Sequence, residues 1–156
     1  MHEFMGPVRR ICTVLTVCAW LPIGSAGAQP ADGAQAIDSY PEGDGHYTSP
    51  DDYSWVFFRT PDGRACGIGP NGGSVGCDAV PYDVTGYNQT VVDPWAPAGY
   101  RRSDTATFTR DVDVLPEGHR LDNWGARCGV GHQGTVTCTT YGGHGFTLAA
   151  TYSVFW

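Results

Sequence analysis

One short phrase occurs twice in this chain, and it restricts the fold more than any other feature of the sequence. The first copy runs Cys66-Gly67-Ile68-Gly69, passes through a glycine-rich turn, and closes with Gly73-Ser74-Val75-Gly76-Cys77. The second runs Cys128-Gly129-Val130-Gly131, turns more tightly, and closes with Gly134-Thr135-Val136-Thr137-Cys138. Residues opposed across a hairpin have position numbers of constant sum. Placing Cys66 opposite Cys77 therefore sets Ile68 opposite Val75 and leaves Pro70-Asn71-Gly72-Gly73 as the loop. Placing Cys128 opposite Cys138 sets Val130 opposite Val136 and leaves His132-Gln133-Gly134. Such three-residue loops favour a type I turn followed by a left-handed residue, and Gly134 stands where that residue is needed. In both copies an aliphatic pair then lies two residues in from the cysteines, on the same face of the sheet.

Opposed strand residues approach to about 4.5–5.5 Å between Cα atoms, within reach of a disulfide. Each bridge would contribute about 3 kcal/mol in the chain-entropy account. The competing connectivity links the hairpins to one another, Cys66 to Cys138 and Cys77 to Cys128; the sequence leaves the pairing of these four cysteines open. Zinc ligation is the functional rival, but the spacing within each phrase is not the short knuckle that zinc prefers.

The start of the chain reads as a targeting segment. Arg9 and Arg10 precede a short apolar run at 11–23, and Ala26-Gly27-Ala28 is a small-residue cleavage site, so residues 1–28 are expected to be a signal peptide. The apolar run is too short for a membrane span. Cys12 and Cys18 fall within this segment, leaving an even set of four cysteines that suits an oxidising, extracellular compartment. Beyond residue 28 the chain has no lysine, and its acidic residues outnumber its arginines by about two to one. That balance disfavours nucleic acid and anionic membranes as partners, because both require a basic footprint.

Residues 29–50 are acidic and rich in Ala, Gly and Pro, and read as a flexible lead-in on which Tyr40 and Tyr47 could dock. The domain proper spans 51–156. Strands are expected at 54–58, in the two hairpins, at 105–114 and, most clearly, across 146–156. In the last, Phe146, Leu148, Ala150, Tyr152, Val154 and Trp156 alternate with smaller or polar residues. Pro81, Pro94 and Pro97 allow at most a short strand between 81 and 99. No helix is expected. The fold class is all-β, a small barrel or sandwich of about six to eight short antiparallel strands with two disulfide-clamped hairpins.

The run Phe58-Arg59-Thr60-Pro61-Asp62-Gly63-Arg64-Ala65-Cys66, ending at Val75-Gly76-Cys77, resembles the first half of a domain found in secreted actinobacterial, especially mycobacterial, proteins. Leu115-Pro116-Glu117-Gly118, Arg127-Cys128, Val136-Thr137-Cys138 and Gly143-His144-Gly145-Phe146 are similar to its second half. The resemblance covers about 54–156 and implies a small secreted β domain with two disulfides. That family has no established activity, so the resemblance assigns no functional residue.

Among residues that could carry chemistry, Trp95 lies in a loop between Pro94 and Pro97 and is the leading candidate for an exposed aromatic contact; Trp55 and Trp156 belong to apolar strands. His132 and His144 sit in turns that could share one end of the sheet, where Asp78 or Asp122 could complete a metal or acid–base site. Gly72-Gly73-Ser74-Val75-Gly76 matches the nucleophile-elbow pattern, but in a hairpin turn rather than a strand-to-helix turn. Asp111 and Asp113 share one face of the strand expected there, and Asn88-Gln89-Thr90 is a glycosylation sequon. The expectation is a secreted, non-catalytic binding or envelope-interaction module with no cofactor, its partner a cell-wall glycan or an extracellular protein. The alternative is a small hydrolase or metal-dependent enzyme built on the two histidine turns.

Overall fold

The computed structural model describes residues 32–156, so the signal peptide expected at 1–28 lies outside the described residues. A helix, α1 (Asp32–Asp38), precedes ten strands. β1 (Val56–Arg59), β2 (Ala65–Ile68), β3 (Val75–Cys77), β4 (Gln89–Asp93) and β5 (Ala96–Arg101) form one antiparallel sheet in chain order. β6 (His119–Asn123), β7 (Ala126–Val130), β8 (Val136–Thr139), β9 (Gly145–Leu148) and β10 (Ser153–Phe155) form the other in the same way. The described residues are thus all-β apart from the short helix, and the two sheets stay open rather than closing into a barrel. The repeat in the sequence is the visible part of a larger one. In each five-stranded meander the second and third strands carry the cysteines.

Both predicted registers are found. Cys66 opposes Cys77 and Ile68 opposes Val75; Cys128 opposes Cys138 and Val130 opposes Val136. Disulfides join Cys66 to Cys77 and Cys128 to Cys138 across Cα separations of 4.0 and 4.1 Å. All four cysteines are buried in a single core, between Phe58, Ile68 and Val75 of the first sheet and Val130, Val136, Phe146 and Leu148 of the second. Alternation along each strand turns these residues inward. Gly134 takes the left-handed conformation expected of it, at φ 72°. Gln133 before it is also left-handed, so the tip differs from a type I turn. Tertiary contacts hold it there: the Gly134 amide donates to Glu117 Oε1, and its carbonyl accepts from Arg64 Nη2. Arg64 Nη1 also donates to the Leu148 carbonyl, so one guanidinium ties the two sheets together at this end.

The glycine after the first cysteine of each phrase faces outward and makes room for a plug. On the first sheet a Cβ at Gly67 would stand 2.8 Å from Phe57 and 3.2 Å from Phe108, both fully buried rings. Trp55 stacks on Phe57, with centroids 5.4 Å apart, and the Arg110 guanidinium lies over the same ring. On the second sheet a Cβ at Gly129 would stand 2.6 Å from Ile37, carried by α1. Residues 32–50 are therefore packed rather than free: Ile37 and Tyr47 are buried, and Arg127 and Arg120 bind the Asp38 carboxylate and carbonyl.

Three further expectations are corrected. Residues 89–101 form a hairpin despite their prolines, because Pro94 occupies its turn and Pro97 lies on the edge strand β5, where a missing N–H is tolerated. Residues 105–111 do not pair as a strand; this stretch seats Phe108 on the glycines, and Asp78 Oδ2 accepts its backbone N–H. The run 146–156 is a hairpin, not one strand. Ser153 pairs with Leu148 and Val154 with Thr147, which moves Val154 from the inner to the outer face.

Candidate functional site

Because both sheets are meanders, their turns fall alternately at two ends. Four turns meet at one end: Pro70–Gly73 between β2 and β3, Pro94-Trp95 between β4 and β5, Trp124-Gly125 between β6 and β7, and Thr140–His144 between β8 and β9. Three of them present an exposed aromatic side chain, Trp95 (76 %), Trp124 (56 %) and Tyr141 (53 %). Tyr141 is the hub. It meets Trp95 edge to face at 5.7 Å between centroids. A Cβ on Gly72 would lie 2.7 Å from its hydroxyl, and one on Gly125 3.3 Å from its ring. Gly142 lies so close to the Pro94 carbonyl that any side chain there would collide with it. Glycines thus let three neighbouring turns close around one tyrosine.

The aromatics are displayed at some conformational cost. Asp93 Oδ1 accepts from the amides of Trp95 and Ala96, a local turn that fixes Trp95 outward. Trp124 and Gly125 are both left-handed, at φ 48° and 79°, between the paired residues Asn123 and Ala126. A hairpin turn of that kind favours Asn or Gly at its first position, and a bulky residue there is strained by about 1–2 kcal/mol. Asn123, which precedes it, is committed elsewhere: its side-chain amide donates to the carbonyls of Ser54 and Ile68.

Of the residues singled out from sequence, Trp95 and His144 lie at this end, His144 half-buried with its carbonyl held by Thr140. His132 does not. It lies in the β7–β8 turn, a strand's length away at the opposite end, with 88 % of its side chain exposed and Nδ1 3.9 Å from Glu117 Oε2. The shared histidine site is therefore not assembled. The carboxylates proposed to complete it are engaged as well. Asp78 accepts from Gln89, from the Phe108 amide and from Thr109, while Asp122 pairs with Arg127. Asp113 accepts from the His46 amide, and Ser74 lies in a hairpin turn with its own carbonyl accepting from the Gly69 amide. No three His, Cys, Asp or Glu among the described residues are grouped so as to hold a metal ion. Trp124 and Tyr141 were not singled out from the sequence; the available signal was an aromatic in place of asparagine before the turn glycine Gly125.

A second concave feature lies on the outer face of the second sheet. It is a cleft of about 450 Å³ beside α1. Its floor holds Thr137 and Thr147, whose hydroxyls bond at 3.0 Å, and its walls include Tyr40, Tyr152 and Val154. His132 stands on its rim.

Among the described residues no helix is long and apolar enough to cross a membrane. No family model, curated protein or solved structure matches this chain.

Proposed function

We propose that this protein is a secreted, non-catalytic binding module of the cell envelope, and that Trp95, Trp124 and Tyr141 are its contact surface for a neutral glycan. The carrying observation is that three exposed aromatic side chains converge from three turns, one of them held in a strained backbone conformation. Strain of this kind persists where function requires the residue. Aromatic faces bind sugar rings by stacking, and polar groups beside them set orientation. The loops themselves carry no Asp, Glu or Arg, and the Asp93 carboxylate at the base of the Trp95 turn is engaged by the Trp95 and Ala96 amides, which favours an uncharged ligand; Asn71 and His144 are the polar groups at hand. Secretion is supported by the targeting segment read at 1–28 and by the two disulfides. The actinobacterial resemblance rests on its quoted motifs and suggests which cell walls to test first.

The test is co-sedimentation of the purified protein with cell-wall fractions and insoluble polysaccharides. Saturable retention is expected. Trp95→Ala and Tyr141→Ala should each weaken it by roughly tenfold, the range of a buried aromatic anchor. His132→Ala, at the far end, should not. An absence of retention on every fraction would remove this reading.

A further inference from the structure

The two sheets have four edge strands, and three of them are guarded. β1 is covered by the segment after Phe108: the Arg59 amide donates to the Asp113 carbonyl, and the Leu115 amide donates to the Arg59 carbonyl. β6 is covered by residues 41–43, with Arg120 donating to Pro41 and accepting from Gly43. β5 carries Pro97, and its pairing with β4 is interrupted by a bulge between Val91 and Asp93. Proline and bulges are the usual devices against edge-to-edge pairing. β10 has neither. The stretch from Tyr152 to Trp156 contains no charged residue and no proline, and Tyr152, Val154 and Phe155 are all exposed.

The ladder fixes which backbone groups on β10 remain available. Trp156 exchanges both hydrogen bonds with Gly145, and the Tyr152 carbonyl accepts from Ala149. In an antiparallel pair, bonded and non-bonded positions alternate. Tyr152, Val154 and Trp156 therefore spend their backbone groups on β9, and Ser153 and Phe155 turn theirs outward. These two flank Val154 symmetrically, so the outward groups are self-complementary about a two-fold axis through that residue.

We propose that β10 is a homodimerisation edge, pairing antiparallel with β10 of a second copy. Ser153 then exchanges both hydrogen bonds with Phe155 of the second copy, and Phe155 with Ser153 of the second copy. Val154 opposes its own counterpart in a non-bonded pair, where side chains approach most closely. The absence of charge on the strand favours a second copy, because the two-fold axis sets Val154 against its own duplicate, and a charge at or beside the axis would meet a like charge from the other copy. Two five-stranded sheets become one of ten strands. Val154 also lines the 450 Å³ cleft beside α1, so the dimer sets two such clefts side by side across the axis. The net charge of −7 opposes association of two copies, so the dimer strengthens with salt.

The test is sedimentation velocity of the purified chain over a range of concentrations, with charged variants at the axis. Val154 is exposed on the outer face, so Val154→Glu and Val154→Arg leave the inner packing alone, as circular dichroism will verify. The wild type is expected to dimerise, and each variant alone to raise the dissociation constant at least tenfold. An equimolar mixture of the two is expected to recover a heterodimer by placing opposite charges at the axis. A wild type that stays monomeric throughout overturns the proposal and leaves the edge to an extended segment of some other protein. A Val154→Glu variant that dimerises as well as the wild type overturns it equally.

Discussion

Gly129→Ala and Ile37→Ala should each destabilise the fold, and together they should cost less than their sum. A methyl built on Gly129 stands 2.6 Å from Ile37 Cγ2 and 2.9 Å from Ile37 Cβ, so α1 must shift to admit it. Overpacking of this kind costs about 1–3 kcal/mol. Ile37 is 2 % exposed, and truncating it opens a hole over the second sheet at about 2–5 kcal/mol. In the double variant the methyl at 129 enters the space left by Cγ2, and only the approach of the two Cβ atoms remains tight. A favourable coupling of about 1 kcal/mol or more is expected, within the range for residues in contact. Urea unfolding of the wild type, both single variants and the double variant, followed by near-UV circular dichroism, measures it. Additivity to within about 0.5 kcal/mol, or a Gly129→Ala protein as stable as the wild type, would refute the claim that α1 is seated in that glycine notch.

Trp124→Asn should stabilise the fold by about 1 kcal/mol, because asparagine suits the left-handed turn, while weakening glycan retention; a stabilised protein that binds unchanged would separate Trp124 from function. Thr137→Val alone leaves the buried Thr147 hydroxyl without its partner and should cost about 1–3 kcal/mol, whereas the Thr137→Val, Thr147→Val pair should be nearly neutral in thermal melts. Acid should destabilise the protein through two carboxylates. The Arg110 guanidinium hydrogen-bonds Asp52 and holds its carboxyl below the usual range. Burial pushes Asp62 upward, but hydrogen bonds from Arg64 and Thr60 outweigh it and hold that carboxyl low too. A folded-state value below the unfolded one means stability that is complete above the ordinary carboxylate range near pH 4 and lost as pH falls through the folded values. Urea midpoints between about pH 6 and pH 2 should therefore fall less steeply for Asp52→Asn and Asp62→Asn than for the wild type.

How far the fold could be read from the sequence follows from which forces set each element. The cysteine hairpins were legible because hairpin register is local: one opposed pair fixes the next, and the Ile68–Val75 and Val130–Val136 pairs fell into place. The hairpin at 89–101 was hidden because Pro94 and Pro97 look like breakers until one knows that the first lies in a turn and the second on an edge. The end of the chain misled for a related reason. Its alternation continues unbroken through 146–156, but the pairing of Leu148 with Ser153 has an odd sum, so the returning strand swaps its faces. α1 has few apolar positions of its own; it is fixed by Gly129 across the fold, a contact that local periodicity does not report. The aromatic end was half legible. Trp95 stood out between prolines, while Tyr141 and Trp124 join it only because alternate turns of two meanders gather at one end.

The central claim is that ligand meets the protein at the end formed by Trp95, Trp124 and Tyr141. Its most direct test is a chemical-shift titration of the isotopically labelled protein with soluble oligosaccharide released from whichever wall fraction retains it. Saturable shifts are expected of the Trp95 and Trp124 indole N–H groups and of the Gly142 and Gly143 amides, with Thr137, Thr147 and His132 unmoved. Shifts confined to the threonine cleft, or none at the aromatic end at saturating oligosaccharide, would contradict it.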